Sequence, residues 1–124
     1  NFIDAQIQGD KAIVEGAAFT LPERMARSMK AYEGRSVILG IRPEHIFGED
    51  FALHVSPEHK LSATVQVVEH LGSENLVYFR VGERMVTAKV HPETNASIGQ
   101  LKTFIIDLSK AHFFNPDTEV RIIL

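Results

Sequence analysis

The chain has 124 residues, with 13 Lys and Arg against 16 Asp and Glu for a net charge of −3, 44% hydrophobic and 23% charged residues, and no cysteine. That length makes one ordinary domain with its own core, and the balance excludes a disordered chain. No disulfide framework, thiolate nucleophile or thiolate-held zinc is possible, no apolar run approaches the ~20 residues of a transmembrane helix, and the acidic excess argues against a dedicated nucleic-acid binder.

The chain opens on Asn1 rather than Met, and Phe2–Ile7 already reads as a strand, so it is expected to be a piece of something longer. No signal-peptide pattern is present at the start, and the lack of cysteine fits a cytoplasmic protein. Gln8-Gly9-Asp10 is a turn signal. Leu21–Gly34 then reads as the one helix, near residues 22–33: Pro22 suits the first turn, Glu23 the N-terminal dipole and Gly34 the stop. Met25, Met29 and Tyr32 recur at helical spacing as a packing face.

Beyond the helix the pattern has period two. Val37, Leu39 and Ile41 alternate with Ser36, Ile38 and Gly40. Phe47–His59, interrupted by Gly, Asp and Pro, is the expected soft stretch. Val65 and Val67 alternate with Thr64, Gln66 and Val68. Val77, Phe79 and Val81, then Val86, Ala88 and Val90, form two arms of a hairpin, roughly Glu74–Val81 with Arg84–His91, closed at Gly82-Glu83. Phe104, Ile106 and Leu108 alternate with Thr103, Ile105 and Asp107, and Val120–Leu124 docks as a last strand. Half-buried antiparallel strands follow, nine or ten of them, in a sandwich or partly open barrel.

Chemistry is harder to find. Gly34-Arg35-Ser36 lacks the spacing and lysine of a phosphate loop, so no nucleotide hydrolysis is expected from this chain. His45, His54, His59, His70, His91 and His112 are scattered, with no His-x-His and none in the helix, so no metal site is expected; His54 and His59 only flank a loop. No serine sits in a nucleophile elbow. Glu69 and Glu74 flank a turn and are expected to be solvated or bonded to turn amides. Tyr78 and Phe79 are adjacent and so point to opposite faces, leaving Arg80 as the only nearby base and no aromatic platform for nucleic acid.

Three stretches are more distinctive. Leu39-Gly40-Ile41-Arg42-Pro43-Glu44-His45-Ile46 is a strand ended by Pro43, with Arg42, Glu44 and His45 as polar heads at its end. An Arg42–Glu44 contact there would be worth about 0–1 kcal/mol. Val67-Val68-Glu69-His70-Leu71-Gly72-Ser73-Glu74-Asn75 is strand–turn–strand with carboxylates on both sides of Gly72. Ala111-His112-Phe113-Phe114-Asn115-Pro116-Asp117-Thr118 sets an aromatic pair, expected to be exposed, before a turn.

In this order and spacing the three stretches resemble the C-terminal regulatory domain of sugar-importer ABC ATPases of the maltose-importer type, the TOBE domain. Gly40–His45 matches the family's central motif, Val67–Glu74 its V-x-E-x-L-G-x-E stretch, and His112–Thr118 its H-L-F-D-x-x-T stretch, with Asn115 in place of Asp. Asn1-Phe2 matches the Asn-Phe that follows the nucleotide-binding domain. The resemblance spans essentially the whole chain. It implies an all-β, OB-like, partly open barrel over residues 1–124, with two intertwined β subdomains of about 1–60 and 61–124 as a further reading. It implies no cofactor here, with ATP and Mg2+ confined to a preceding ATPase domain. It implies as partners a second copy, the membrane-spanning subunits and a regulatory protein, on the inner face of the membrane. On that reading Arg42, Glu44, His45, Glu69 and Glu74 form a polar framework, and Phe113 and Phe114 are packing or contact residues. Arg42→Ala is then expected to weaken the local fold or the contact between copies. The alternatives are a barrel that binds an oxyanion or sugar and, behind it, a single-strand nucleic-acid module.

Overall fold

The computed structural model describes residues 1–52 and 58–122. In chain order the strands are β1 (Phe2–Gln8), β2 (Lys11–Val14), β3 (Ala17–Thr20), β4 (Ser36–Gly40), β5 (Ile46–Gly48), β6 (Lys60–His70), β7 (Asn75–Val81), β8 (Arg84–Val90), β9 (Leu101–Ile106), β10 (His112–Phe114) and β11 (Arg121–Ile122). One helix, α1 (Glu23–Ser28), runs into a 3-10 turn over Met29–Tyr32. No helix among the described residues is long and apolar enough to cross a membrane.

The strands form two antiparallel sheets, ordered β11-β10-β4-β1-β2-β3 and β5-β9-β6-β7-β8. The outer strands of the second sheet, β5 and β8, lie against each other, so that sheet curls into a partly closed barrel. The first sheet takes residues 2–20, 36–40 and 112–122, and the second takes 46–48 and 60–106. The sheets therefore exchange chain across the residue-60 boundary. One apolar cluster runs through both, from Ile3, Leu39 and Phe113 to Val65, Phe79 and Phe104. Phe79 and Phe104 stack at 4.2 Å with their planes 15° apart.

The alternation holds over most of this frame. Ile3, Ala5 and Ile7, then Val37 and Leu39, then Val77, Phe79 and Val81, then Val86, Ala88 and Val90 all face inward. The expected hairpin is present, with Gly82 at a φ of 62° at its turn, where a side chain would be strained. It fails at β6. Val65 pairs with Phe79 but Val67 pairs with Tyr78, so Gln66 is an extra residue. The bulge turns Val67 outward, 45% exposed, while Val65 stays buried. It fails again at Ile105, which is buried beside its inward neighbours Phe104 and Ile106.

The helix is shorter than its sequence pattern. Ser28 Oγ donates to the Arg24 carbonyl at 3.2 Å, competing for the helical ladder, and the backbone tightens to 3-10 at Met29. Met25 and Met29 are buried in the core and Tyr32 packs on it. The hairpin β2–β3 has no counterpart among the sequence expectations, although Ala12, Val14 and Phe19 point inward around the Glu15-Gly16 turn. Within Phe47–His59, β5 and a 3-10 turn over Glu49–Phe51 are regular, and 53–57 lie outside the described residues. Of the last expected strand, Val120 is exposed and outside the ladder, Arg121–Ile122 form β11, and 123–124 lie outside the described residues.

Asn1 acts as an extra rung on β8. Its Nδ2 donates to the Thr87 carbonyl at 2.7 Å, and its Oδ1 accepts the Thr87 N–H at 2.8 Å. Arg84 reaches from the same strand to Asp4 of β1 with two bonds, at 3.1 and 3.2 Å. These contacts tie the edge of the barrel to the first sheet.

Candidate functional site

The residues singled out in the sequence separate onto three places. Pro43 starts a 3-10 turn, Pro43–His45, at the end of β4. Glu44 is exposed there, and its carboxyl is held below the ordinary range, first by a hydrogen bond from its own backbone N–H and then, against some desolvation, by the charges of His45, Arg42 and Lys89. His45 is half-buried, and its Nδ1 is buried without a hydrogen-bond partner among the described residues. Glu74 binds Lys89 Nζ at 3.3 Å. Glu44, Glu74 and Lys89 line one open groove of about 460 Å³ with Phe47, Phe51 and His91. Phe51 stacks on the His91 ring at 4.1 Å.

Glu69 is elsewhere. Its Oε1 accepts the Tyr78 hydroxyl proton, and that bond, with partial desolvation and the carboxylate charge, raises the tyrosine pKa. The side chains of Glu69 and Glu74 thus go to Tyr78 and Lys89, not to the turn amides, whose Leu71 N–H instead donates to the Glu74 carbonyl. Asn75, buried at the start of β7, donates to the Pro92 carbonyl at 3.1 Å and faces His70 Nδ1 at 3.2 Å. It pins the two loops that border the groove.

The third place is the outward face of the first sheet. The aromatic pair is split: Phe113 is fully buried, and only Phe114 reaches this face. Adjacent strand residues point to opposite sides, so both could not be exposed. Phe114 folds over Gly40, where an added Cβ would lie 2.7 Å from its ring, and meets Phe2 edge-on at 5.7 Å. Arg42 is exposed here. Its side chain has no ion-pair or hydrogen-bond partner among the described residues, although its charge acts on Glu44.

Lys89, His91, Phe51 and Phe2 were not foreseen as site residues. Lys102 was also missed. It sits on an inward-facing position of β9, 8% exposed, with Nζ 3.5 Å from Asp50 Oδ1. Its alternation with Phe104 and Ile106 was the available signal. Of the histidines, His59 contacts the Thr20 carbonyl at 2.8 Å, His70 Asn75 and His91 Phe51, while His54 lies outside the described residues. Among the described residues no three His, Asp or Glu side chains gather as metal ligands.

The fold is that of a two-sheet all-β domain with a curled barrel and with polar and aromatic clusters at its surface. Residues 39–114 match the family model of the TOBE domain, and residues 1–46 match that of the MalK OB fold domain. The chain belongs to the TOBE domain family, and its relatives are sugar-import ATP-binding proteins. The oligosaccharides import ATP-binding protein MsmX of Bacillus subtilis is 32% identical over 98% of this chain and 34% of its own length. The sulfoquinovosyl glycerol transport ATP-binding protein SmoE of Agrobacterium fabrum is 37% identical over 96% of this chain and 32% of its own. The trehalose/maltose import ATP-binding protein MalK of Thermococcus litoralis is 34% identical over 95% of this chain and 33% of its own. The chain therefore spans about a third of the length of these curated relatives. In three dimensions it is similar to the cytoplasmic molybdate-binding protein ModG, with a TM-score of 0.70 over 94% of this chain and 96% of that one, at 16% identity. That likeness is one of fold.

Proposed function

We propose that the chain is a non-catalytic regulatory and dimerisation domain of the ATP-binding subunit of a carbohydrate ABC importer. On this reading ATP and Mg2+ are bound by a preceding domain, and the partners are a second copy, the membrane-spanning subunits on the inner face of the membrane, and a regulatory protein. The names of the matched relatives support the carbohydrate class. The observation that carries self-association is the bulge in β6. It turns Val67 outward near Ile98 and Leu101, which are 45%, 71% and 70% exposed. The Gly99 N–H donates to the Val65 carbonyl, and Leu101 pairs with Thr64, so the three apolar side chains share one end of the sheet. Exposed apolar clusters on a small domain mark contact surfaces, and bulges re-aim side chains for such purposes. Sedimentation equilibrium of the wild type and of the V67E and L101E variants tests it. A dimer that either variant dissociates supports the proposal, and a wild type that stays monomeric at high concentration overturns it.

The groove between Glu44 and Lys89 favours a second reading, a small-ligand site. Its carboxylates would accept hydroxyl protons and repel an oxyanion, so a sugar suits it better than molybdate, the ligand of ModG. Titration calorimetry with maltose and with molybdate tests this, and the absence of heat from both removes it.

A further inference from the structure

The two stretches Gly40–His45 and His112–Thr118 meet on the outward face of the first sheet. Strand register builds that face. Phe2, Gly40 and His112 lie in one cross-strand row, and Asp4, Ile38, Phe114 and Arg121 in the next. Arg42 continues the outward side of β4 past Gly40. The charges of Arg42, two residues past the end of β4, and of Arg121 in β11 both reach His112. Arg42 and Arg121 are exposed, and neither has an ion-pair or hydrogen-bond partner among the described residues. The Arg42 charge acts on Glu44. Beside the cations is a slot of about 250 Å³ lined by Phe2, Ile38, Phe114, Arg84 and Glu119. The Arg84 charge is already taken by Asp4. Phe2 is 52% exposed although its ring meets Phe114 edge-on. Glu119 has a φ of 60°, a conformation that side chains rarely adopt and that clusters at functional sites.

We propose that this face is a docking surface for an acidic segment of a partner protein, with carboxylates seated on Arg42 and Arg121 across His112 and one apolar side chain entering the slot between Phe2 and Phe114. Charge complementarity carries the choice of occupant: unpaired guanidinium groups match carboxylates in a bidentate fashion, and an aromatic slot next to them supplies the apolar anchor on which such contacts turn. A second copy is a poorer match, because this chain carries net negative charge but would have to offer this same cationic patch in a two-fold contact. The proposal deepens the regulatory reading, yet it uses a different sheet from the Val67 cluster, so the two fail separately.

His112 reports occupancy. Desolvation and the charges of Arg121 and Arg42 hold its imidazole below the ordinary range, and a seated carboxylate would move it up. The experiment is fluorescence anisotropy with a labelled peptide alternating glutamate with leucine and phenylalanine, against its lysine-for-glutamate counterpart, inorganic phosphate alone and anionic lipid vesicles. Expected are saturable binding of the acidic peptide only, an affinity loss of about tenfold in R42Q and in R121Q, the size of one charge-assisted bond, a comparable loss in F114A, and weaker binding as salt rises. The two arginines are exposed, so their variants keep the fold whatever happens to F114A. Equal binding of the lysine peptide, no effect of either arginine variant, phosphate binding that F114A leaves intact, or binding of vesicles in place of peptide would each overturn the proposal. A dimer that persists in R42Q and R121Q separates this result from the self-association test.

Discussion

Replacing Phe79 by alanine tests whether the second sheet closes. Phe79 is fully buried and stacks on Phe104 from across β6. A phenylalanine buries about 150–250 Å², which at about 25 cal/mol per Å² is roughly 4–6 kcal/mol of transfer free energy. Alanine keeps a small share of that, while the cavity adds cost, so F79A should lose about 3–5 kcal/mol. Against a total of about 5–15 kcal/mol for a domain this is a large fraction. The stack itself contributes about 0.5–1.5 kcal/mol, so F79A and F104A together should cost less than the sum of the two. Urea unfolding of the two single variants and the double variant measures both quantities, provided the slope with denaturant stays constant. A loss below about 1.5 kcal/mol for F79A, or strict additivity with F104A, would mean that the rings do not share a packed interior and that the sheet does not curl as described.

Glu119 sits at a φ of 60°; the left-handed region costs about 1–2 kcal/mol for a side chain and glycine returns part of that as entropy, so E119G should stabilise by about 0.5–1 kcal/mol, and a thermal melt showing a loss would contradict it. Asn1→Ala removes two bonds to Thr87 and should cost about 1–2 kcal/mol, seen as faster hydrogen exchange at Thr87. His112 has its pKa lowered by burial and by Arg121 and Arg42, so the unfolded chain takes the proton first. Its contribution to stability is whole above the unfolded value of about 6.5 and is lost as pH falls through the lower folded value. H112Q should flatten the acid limb of stability against pH, and an unchanged limb would place that loss on other groups.

Much of the frame was legible because alternation reports which side of a strand is dry. The hairpin of β7 and β8 and the inward row of β1 and β4 need only that rule. The bulge was not legible. Val65, Val67 and their neighbours keep period two in the sequence while Gln66 shifts the ladder by one, and only the partner strand reveals the shift. The burial of Phe113 was legible and was missed, since the rule that separates Tyr78 from Phe79 separates Phe113 from Phe114 as well. The groove was only half legible. Glu44 and Glu74 stand in distinctive stretches, but Lys89 and His91 reach them only because β8 packs on the Pro43–His45 turn, a contact no local pattern encodes.

Net charge misleads for a related reason. An excess of three negative charges weighs against an anionic partner only if the charges are evenly spread. Here the sheet spreads them unevenly. β10 is only three residues long, too short for a period to announce it, and together with β11 it carries His112 and Arg121 alongside β4, whose chain runs on to Arg42. Of the carboxylates around that face, Asp4 is engaged by Arg84 and Glu44 lines the groove with Lys89, while Glu119 borders the slot beside the arginines. A partner approaching the first sheet therefore meets cations at short range even though the molecule is acidic at long range. With a screening length of about 8 Å at physiological salt, it is the short-range pattern that decides which partner stays.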